Sequence, residues 1–421
     1  MVNNPKIAII GAGPSGITAL KNLSSNGFSV TCFEMNDQIG GNWVYKDKTG
    51  HSSVFKTTHI ISSKKFSEYT DFPMPDDYPD YPSGAELLAY FNSYVEKFDL
   101  KQFIKFNTKV SKAIPLNDKW KLFFEDSSED FDYLIVANGH HWSPRIPSFE
   151  GDFSGELMHS HQFKNNEYFK DKSVLVVGGG NSACDIAVEV SRVAKKTSIS
   201  MRRGYHFIPK FMMGMPSDAY YAKTLWIPQR IRLFLQKLAL KIVQGSYENY
   251  GLQKPDHDIL QSHATVNSEL LYFIKHGKIT PQKNISCFLG DTVEFIDGKK
   301  EEFDIVLFAT GYKISFPFFS TSNIDYEKND IDLYNFCFHP KYNNLMFVGL
   351  LQPLGCIWPL SDLQSQQIVK YLKSEWKLPL DFKKAVHDQQ NNMPYDFIDT
   401  PRHKLEVDFH EFRKHLQNEI N

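Results

Sequence analysis

The chain is 421 residues long, enough for two or three domains rather than one small core. Its 47 lysines and arginines nearly balance 49 aspartates and glutamates, so no global field draws it to nucleic acid or to an anionic surface. Five scattered cysteines (Cys32, Cys184, Cys287, Cys337, Cys356) contain no C-x-x-C pair, which excludes the thiol–disulfide reductases and argues for reduced thiols over a disulfide framework.

The N-terminus, MVNNPKIAIIGAG, enters a strand almost at once and shows no cleavable leader. No run approaches the roughly 18 apolar residues of a membrane span. A cytoplasmic protein without a transmembrane anchor is expected.

The first predicted unit is KIAIIGAGPSGITALKNLSSNG. Ile7 to Ile10 reads as a buried parallel strand. Gly11, Gly13 and Gly16 follow at G-x-G-x-x-G spacing with Pro14 and Ser15 inside the loop, and a helix runs on until Gly27. Such glycines allow a tight turn and close approach of backbone to a pyrophosphate, which then faces the helix N-terminus. The next strand, SVTCFE, ends at Glu34, 23 residues after Gly11. That is close to the offset of about 20 residues for a carboxylate that accepts ribose hydroxyls and repels a 2′-phosphate. Further on, FDYLIVANGHH gives a strand ending at Ala137-Asn138-Gly139.

The second predicted unit is KSVLVVGGGNSACDIAVEVSRVAKK. Val174 to Val177 is again a buried-strand run, and Gly178, Gly180 and Ala183 fit G-x-G-x-x-A, with Asn181 and Ser182 opening the helix. The following strand leads into SISMRRGY, and Arg202 lies 24 residues after Gly178. Where the first unit has an acid, this one has Arg202 and Arg203. Guanidinium forks match phosphate geometry, so this loop is expected to take NADP(H) through its 2′-phosphate. Two unlike dinucleotide loops in one chain imply two cofactors, most economically FAD in the first and NADPH in the second.

The stretch at about 205–275 exceeds a minimal nucleotide fold. Within it, IPQRIRLFLQKLALKIV alternates basic and apolar residues at helical spacing. The commoner reading is a helix packed over a cleft on the substrate side; the other is a helix lying on a membrane surface. Two more strands follow, FDIVLFATGYK ending at Ala309-Thr310-Gly311-Tyr312 and NLMFVGLLQP ending near Gly349. The expected fold class is α/β, with two Rossmann-like dinucleotide-binding domains and the NADPH domain inserted into the FAD domain. The expected boundaries are 1–148 plus 300–421 for FAD and 149–299 for NADPH. The histidines suggest no metal site.

At FSGELMHSHQFK the chain resembles the flavin-containing monooxygenases. Phe153, Gly155, His159, Ser160 and Phe163 reproduce the F-x-G-x-x-x-H-S-x-x-F/Y pattern of that family, where the related Baeyer–Villiger enzymes usually place Trp at the position of Phe163. Asp304, Phe308 to Tyr312 and Pro317 match D-x3-F-A-T-G-Y-x4-P. GGNW (Gly40 to Trp43), SDLQSQ (Ser361 to Gln366) and KLEVDFHEF (Lys404 to Phe412) are similar to further family segments. The resemblance implies flavin-side roles for Gly41, Trp43, Val110 and Gln352. It implies an NADPH- and O2-dependent monooxygenase that oxygenates soft nitrogen or sulfur nucleophiles through a C4a-hydroperoxyflavin. Alternatives are a Baeyer–Villiger or carboxylic-acid-oxidising relative and an uncoupled NADPH oxidase. Partners are then a small-molecule substrate and O2, with homo-oligomerisation open. The chain departs from the family in KTTHIISSKKFSEYTDFP, where Ile61 stands at the position of a flavin-side Asn. His59 is the nearest polar residue to replace it and is the catalytic candidate.

Overall fold

A computed structural model describes residues 4–46, 50–263, 265–320, 324, 332–391, 397 and 403–421. Its helices are α1 (Pro14–Ser25), α2 (Gly84–Lys97), α3 (Asn181–Ser191), α4 (Ser217–Lys223), α5 (Gln229–Gln244), α6 (Leu270–Lys275), α7 (Ile357–Leu372), α8 (Phe382–Asn391) and α9 (Phe409–Ile420). The chain divides into two compact units, one of Met1–Val44, Ser62–Ser143 and Ile314–Asn421, the other of Tyr45–Ile61 and Pro144–Lys313.

The first unit is built on a five-stranded sheet in the spatial order Leu345–Phe347, Tyr133–Val136, Lys6–Ile10, Ser29–Phe33, Ile104–Lys105. Every neighbouring pair is parallel. Lys6–Ile10, first in sequence, is central, so the order of connections reverses beside it and leaves a crevice at its carboxyl end. The apolar run predicted it: Ile7, Ala8 and Ile9 are fully buried. On one face α1 packs against α7 through an unusual polar seam. The fully buried Asp362 carboxylate accepts from Thr18 Oγ1 (2.8 Å), Asn22 Nδ2 (2.7 Å), Gln366 Nε2 (3.2 Å) and the amide and hydroxyl of Thr70. Several good donors are what make a buried carboxylate tolerable without a cation.

The second unit repeats the plan in the order Thr280–Gln282, Lys196–Ser200, Ser173–Val177, Ile305–Phe308, Glu156–His159, again all parallel. Its central strand is also the one that enters the glycine loop. Between Lys196–Ser200 and Thr280–Gln282 the chain makes the long excursion that carries α4, α5 and α6, closed at its base by parallel pairing of Phe207–Ile208 with Thr265–Val266.

This division differs from the expected boundary at 300. Ile305–Phe308 was assigned by sequence to the flavin domain, but it pairs with the second unit's central strand in the register Val174↔Ile305 to Val177↔Phe308. An apolar strand ending in a small-residue turn suits either sheet, and only pairing distinguishes them. The segment Tyr45–Ile61, expected in the flavin domain, also belongs to the second unit. It is fastened there by Lys164, whose buried ammonium donates to the Ser52 carbonyl at 2.7 Å. Desolvation holds that lysine below its ordinary pKa.

Candidate functional site

The two glycine loops are near-copies in backbone. In the first, Gly11 N–H donates to Phe33 carbonyl and Ala137 N–H to Ile10 carbonyl; in the second, Gly178 donates to Ser200 and Ala309 to Val177. Gly11 (φ 100°) and Gly178 (φ 141°) both have dihedrals that L side chains avoid. A Cβ on Gly11 would lie 2.7 Å from Ala137 O, and one on Gly178 2.4 Å from Ala309 O. The Ala137-Asn138-Gly139 and Ala309-Thr310-Gly311 turns are therefore equivalent walls of two separate loops. Gly16 is tighter still, since its Cβ would stand 1.9 Å from Gly11 O.

Both following helices begin without a side-chain cap and without an acid in the first turn, α1 from Gly13 and α3 from Gly180. Of the other helices, α2 has a Ser83–Glu86 capping box and α9 is capped by Asp408, while α4, α5, α6 and α7 also start without a side-chain cap. Uncapped N–H groups at a glycine loop fit an anionic pyrophosphate.

Glu34 sits at the end of its strand and is buried. Its Oε2 accepts the Ala12 amide at 2.8 Å, while Oε1 accepts the Asn36 amide (2.8 Å) and Asn36 Nδ2 (2.7 Å). One lone pair remains on Oε2, as a ribose hydroxyl would require. The expected first-loop residues gather here. Pro14 is the first residue of α1, and Ser15 Oγ meets Ser361 Oγ of α7 at 2.9 Å. Gly41 (φ 53°) lies against Gly13, whose Cβ would come 3.7 Å from Gly41 Cα. Trp43 packs edge-on to Trp358 at 5.5 Å. Val110 follows a segment in which Thr108 N–H donates to Glu34 carbonyl, and its own side chain is buried in the core, leaving only backbone for a nucleotide. Gln352 Oε1 is 3.4 Å from His140 Nε2.

Around the second loop, Arg202 is exposed and has no ion-pair partner among the described residues. Arg203 has a buried Nε without a hydrogen-bond acceptor, and its guanidinium lies 5.6 Å from the Tyr205 ring. Cations left unpaired beside a glycine loop fit a phosphate. Asn181 is turned toward the excursion, its Oδ1 accepting Val266 N–H at 2.7 Å, and Ser182 is exposed in the first turn of α3.

Tyr205 was not singled out by sequence. Its ring covers Gly179 so closely that a Cβ there would come within 2.1 Å, and Thr265 Oγ1 donates to Gly179 O at 2.9 Å. Only the pairing of 207–208 with 265–266 brings these residues to the loop; the adjacency of Tyr205 to Arg203 was the one available signal.

The His159-Ser160 pair is structural in its contacts. His159 Nδ1 accepts the His161 amide at 3.1 Å, and Nε2 donates to Gly311 carbonyl at 3.1 Å. Burial pushes its pKa down to about 4, so the neutral imidazole acts as a strut for the Ala309–Gly311 wall. Phe163 is buried between Phe55 (5.1 Å) and Phe169 (5.4 Å). His59 lies in the second unit, exposed, with Nδ1 3.0 Å from Thr57 O, and Ile61 is half-buried.

A family model described as flavin-binding monooxygenase-like matches residues 4–421. The chain belongs to that family. Among its curated relatives, flavin-containing monooxygenase 5 of Rattus norvegicus is 33% identical over 96% of this chain and 80% of its own length. Dimethylaniline monooxygenase [N-oxide-forming] 2 of Macaca mulatta is 34% identical over 89% and 74%. Among solved structures, S-allyl-L-cysteine S-oxygenase from Allium sativum superposes with a TM-score of 0.73 at 22% identity, covering 99% of this chain and 88% of its own. An open form of cyclohexanone monooxygenase gives 0.75 at 14%, covering 98% and 97%. This flavin-binding monooxygenase is thus an oxidoreductase that uses FAD, NADPH and O2. No helix of its described residues is long and apolar enough to cross a membrane.

Proposed function

We propose that this flavin-binding monooxygenase oxygenates small soft nucleophiles, amine nitrogen and thioether sulfur, with FAD in the Gly11–Gly16 loop and NADPH in the Gly178–Ala183 loop. The observation that carries the substrate class is 33–34% identity, along nearly the whole chain, to enzymes named for flavin-containing and N-oxide-forming monooxygenation. The loop assignment rests on the opposite ends of the two ribose strands, Glu34 in one and Arg202-Arg203 in the other.

When bound, the two cofactors supply hydride transfer from nicotinamide to flavin and delivery of one oxygen atom of O2 to the substrate, the other leaving as water. The protein's part is holding and shielding. The amides at the start of α1 and α3 bind pyrophosphate, and the free lone pair of Glu34 Oε2 orients the FAD ribose. Arg202 and Arg203 fork the 2′-phosphate, with Tyr205 lying over the loop. His159 holds the Gly311 wall without exchanging a proton at neutral pH. His59 is the polar side chain two residues before Ile61. Five free thiols, four of them buried, support a cytoplasmic location.

The test supplies the FAD-loaded protein with NADPH and O2 and offers N,N-dimethylaniline, methyl phenyl sulfide or cyclohexanone, quantifying organic products and peroxide. N-oxide and sulfoxide are expected. Lactone as the main product would replace this reading with the Baeyer–Villiger one, and peroxide alone would make the protein an NADPH oxidase.

A further inference from the structure

Two side chains near the second glycine loop are buried without the partners their chemistry asks for. One is Arg203, through its Nε. The other is Gln282, 6% exposed, with neither Oε1 nor Nε2 hydrogen-bonded among the described residues. A buried primary amide that bonds at neither end destabilises a fold, whereas an apolar side chain of similar shape would not. Gln282 ends the strand Thr280–Gln282, in register with Ser200. Its carbonyl accepts the Met201 amide at 3.4 Å, which sets it beside the turn into Arg202 and Arg203. Ser200 is engaged elsewhere, its Oγ donating to the Lys283 carbonyl at 2.7 Å.

The order of strands says what comes to this corner. Three lie side by side: the central strand with the Gly178 loop, the strand that leads into the arginines, and the strand that ends in Gln282. A dinucleotide laid over the carboxyl edge puts its pyrophosphate at the first and the adenosine ribose at the second. The base, bonded to that ribose, continues in the same direction. The first unit has the same layout, with Glu34 N–H donating to the Lys105 carbonyl at 3.0 Å as Met201 N–H does to that of Gln282. There the equivalent side chain, Lys105, is exposed and paired with Glu129, so the unmatched amide belongs to the second unit alone. An amide presents an acceptor and a donor side by side, and adenine presents their complement at its 6-amino group and N7. A phosphate offers acceptors only and would leave Oε1 unmet. The nicotinamide carboxamide, also a donor–acceptor pair, hangs from the other end of the pyrophosphate.

We propose that Gln282 reads the adenine of the coenzyme, its Oε1 accepting the 6-amino group and its Nε2 donating to N7. This rests on the assignment of NADPH to the Gly178–Ala183 loop and adds a base contact to the phosphate contacts of Arg202 and Arg203.

The test is isothermal titration calorimetry of the full-length, FAD-loaded protein with NADP+ and with its hypoxanthine analogue, in which a carbonyl oxygen replaces the 6-amino group. The analogue shows two acceptors on this edge, and the amide can serve only one of them. The native protein is expected to bind NADP+ about ten-fold more tightly, within the range that one amide–adenine pair discriminates. Gln282→Met keeps the length of the side chain without its polar atoms. It should bind the two coenzymes equally, through loss of affinity for NADP+. The melting temperature of its nucleotide-free form should hold or rise, because an unmatched amide has left the interior. Equal affinity of the native protein for both coenzymes overturns the proposal, as does a preference that Gln282→Met leaves intact. Arg202→Gln with Arg203→Gln separates this role from the loop assignment. If that pair leaves NADP+ affinity unchanged, the coenzyme is not held at this loop and both readings fall. If it weakens NADP+ while the native protein shows no preference between the bases, only the role of Gln282 falls.

Discussion

The two glycine loops share a backbone and differ in what the residue at the end of the second strand does for the protein itself. Glu34 is buried and accepts three donors, including the Ala12 amide of the neighbouring glycine loop. Arg202 and Arg203 accept no such duty: one is exposed, and the other has a buried donor with nothing to bond. An acid can serve scaffold and ligand together because it has about four acceptor positions near a loop rich in amides. A guanidinium has only donors, and close to a helix N-terminus the protein offers it few acceptors. The first site should therefore couple binding to folding, and the second should separate them.

The strongest challenge to the shared backbone is Gly16→Ala. A Cβ 1.9 Å from Gly11 O cannot be accommodated without moving the loop, so we expect a destabilisation of several kcal/mol, roughly 3 or more, and protein purified largely without flavin. Melting temperature and the flavin-to-protein absorbance ratio check this. Glu34→Gln sharpens the difference between the sites. The new amide must point its NH2 at either the Ala12 or the Asn36 donors, leaving one unmatched at a cost of about 1–3 kcal/mol. Stability and FAD retention should fall together.

The corresponding change in the second unit, Arg202→Gln with Arg203→Gln, should leave the melting temperature unchanged. The KM for NADPH should rise about ten- to hundred-fold, as expected for losing charge-assisted bonds, and the KM for NADH should not. Equal loss with both coenzymes would show that the arginines do not read the 2′-phosphate.

Acid should expose another difference. His159 and His339 titrate near 4 in the fold because burial disfavours the imidazolium, against 6.5 for the free side chain. The unfolded chain binds these protons first, so stability is full above pH 6.5 and is lost as pH falls toward 4. We expect about 1–2 kcal/mol from each. His159→Gln should flatten part of this slope while slackening the Gly311 wall, readable as a higher KM for NADPH. The smallest effect is expected from His59→Ala. An exposed imidazole resting on its neighbour's carbonyl should alter the product formed per NADPH less than Ile61→Asn does.

Much of this architecture was legible because it depends on local sequence. The Gly11 and Gly178 loops were readable from spacing, since only glycine fits their dihedrals and close approaches. That Glu34 and Arg202-Arg203 follow the strands next to these loops was readable from an offset that one helix and two strands impose. Less legible were contacts made across long stretches of chain. Ile305–Phe308 looked like a flavin-domain strand because burial alone determines its composition. Asp362 was part of a recognised segment, but its bonds to Thr18, Asn22 and Thr70 join residues about 290 to 340 positions apart. The pattern of α5 was seen as amphipathic, yet a helical wheel has no inside or outside. Which stripe met the protein was decided by Tyr221 and Phe207, which take up Arg232 and Gln244.

The sequence by itself determined the two glycine loops, the opposite charges that end their second strands and the family, because backbone constraint and charge act over a few residues. Only the tertiary structure decided which sheet each strand joins, how a buried carboxylate is satisfied and which face of α5 is left outside. Those outcomes depend on hydrogen-bond partners and burial that no single stretch of chain contains.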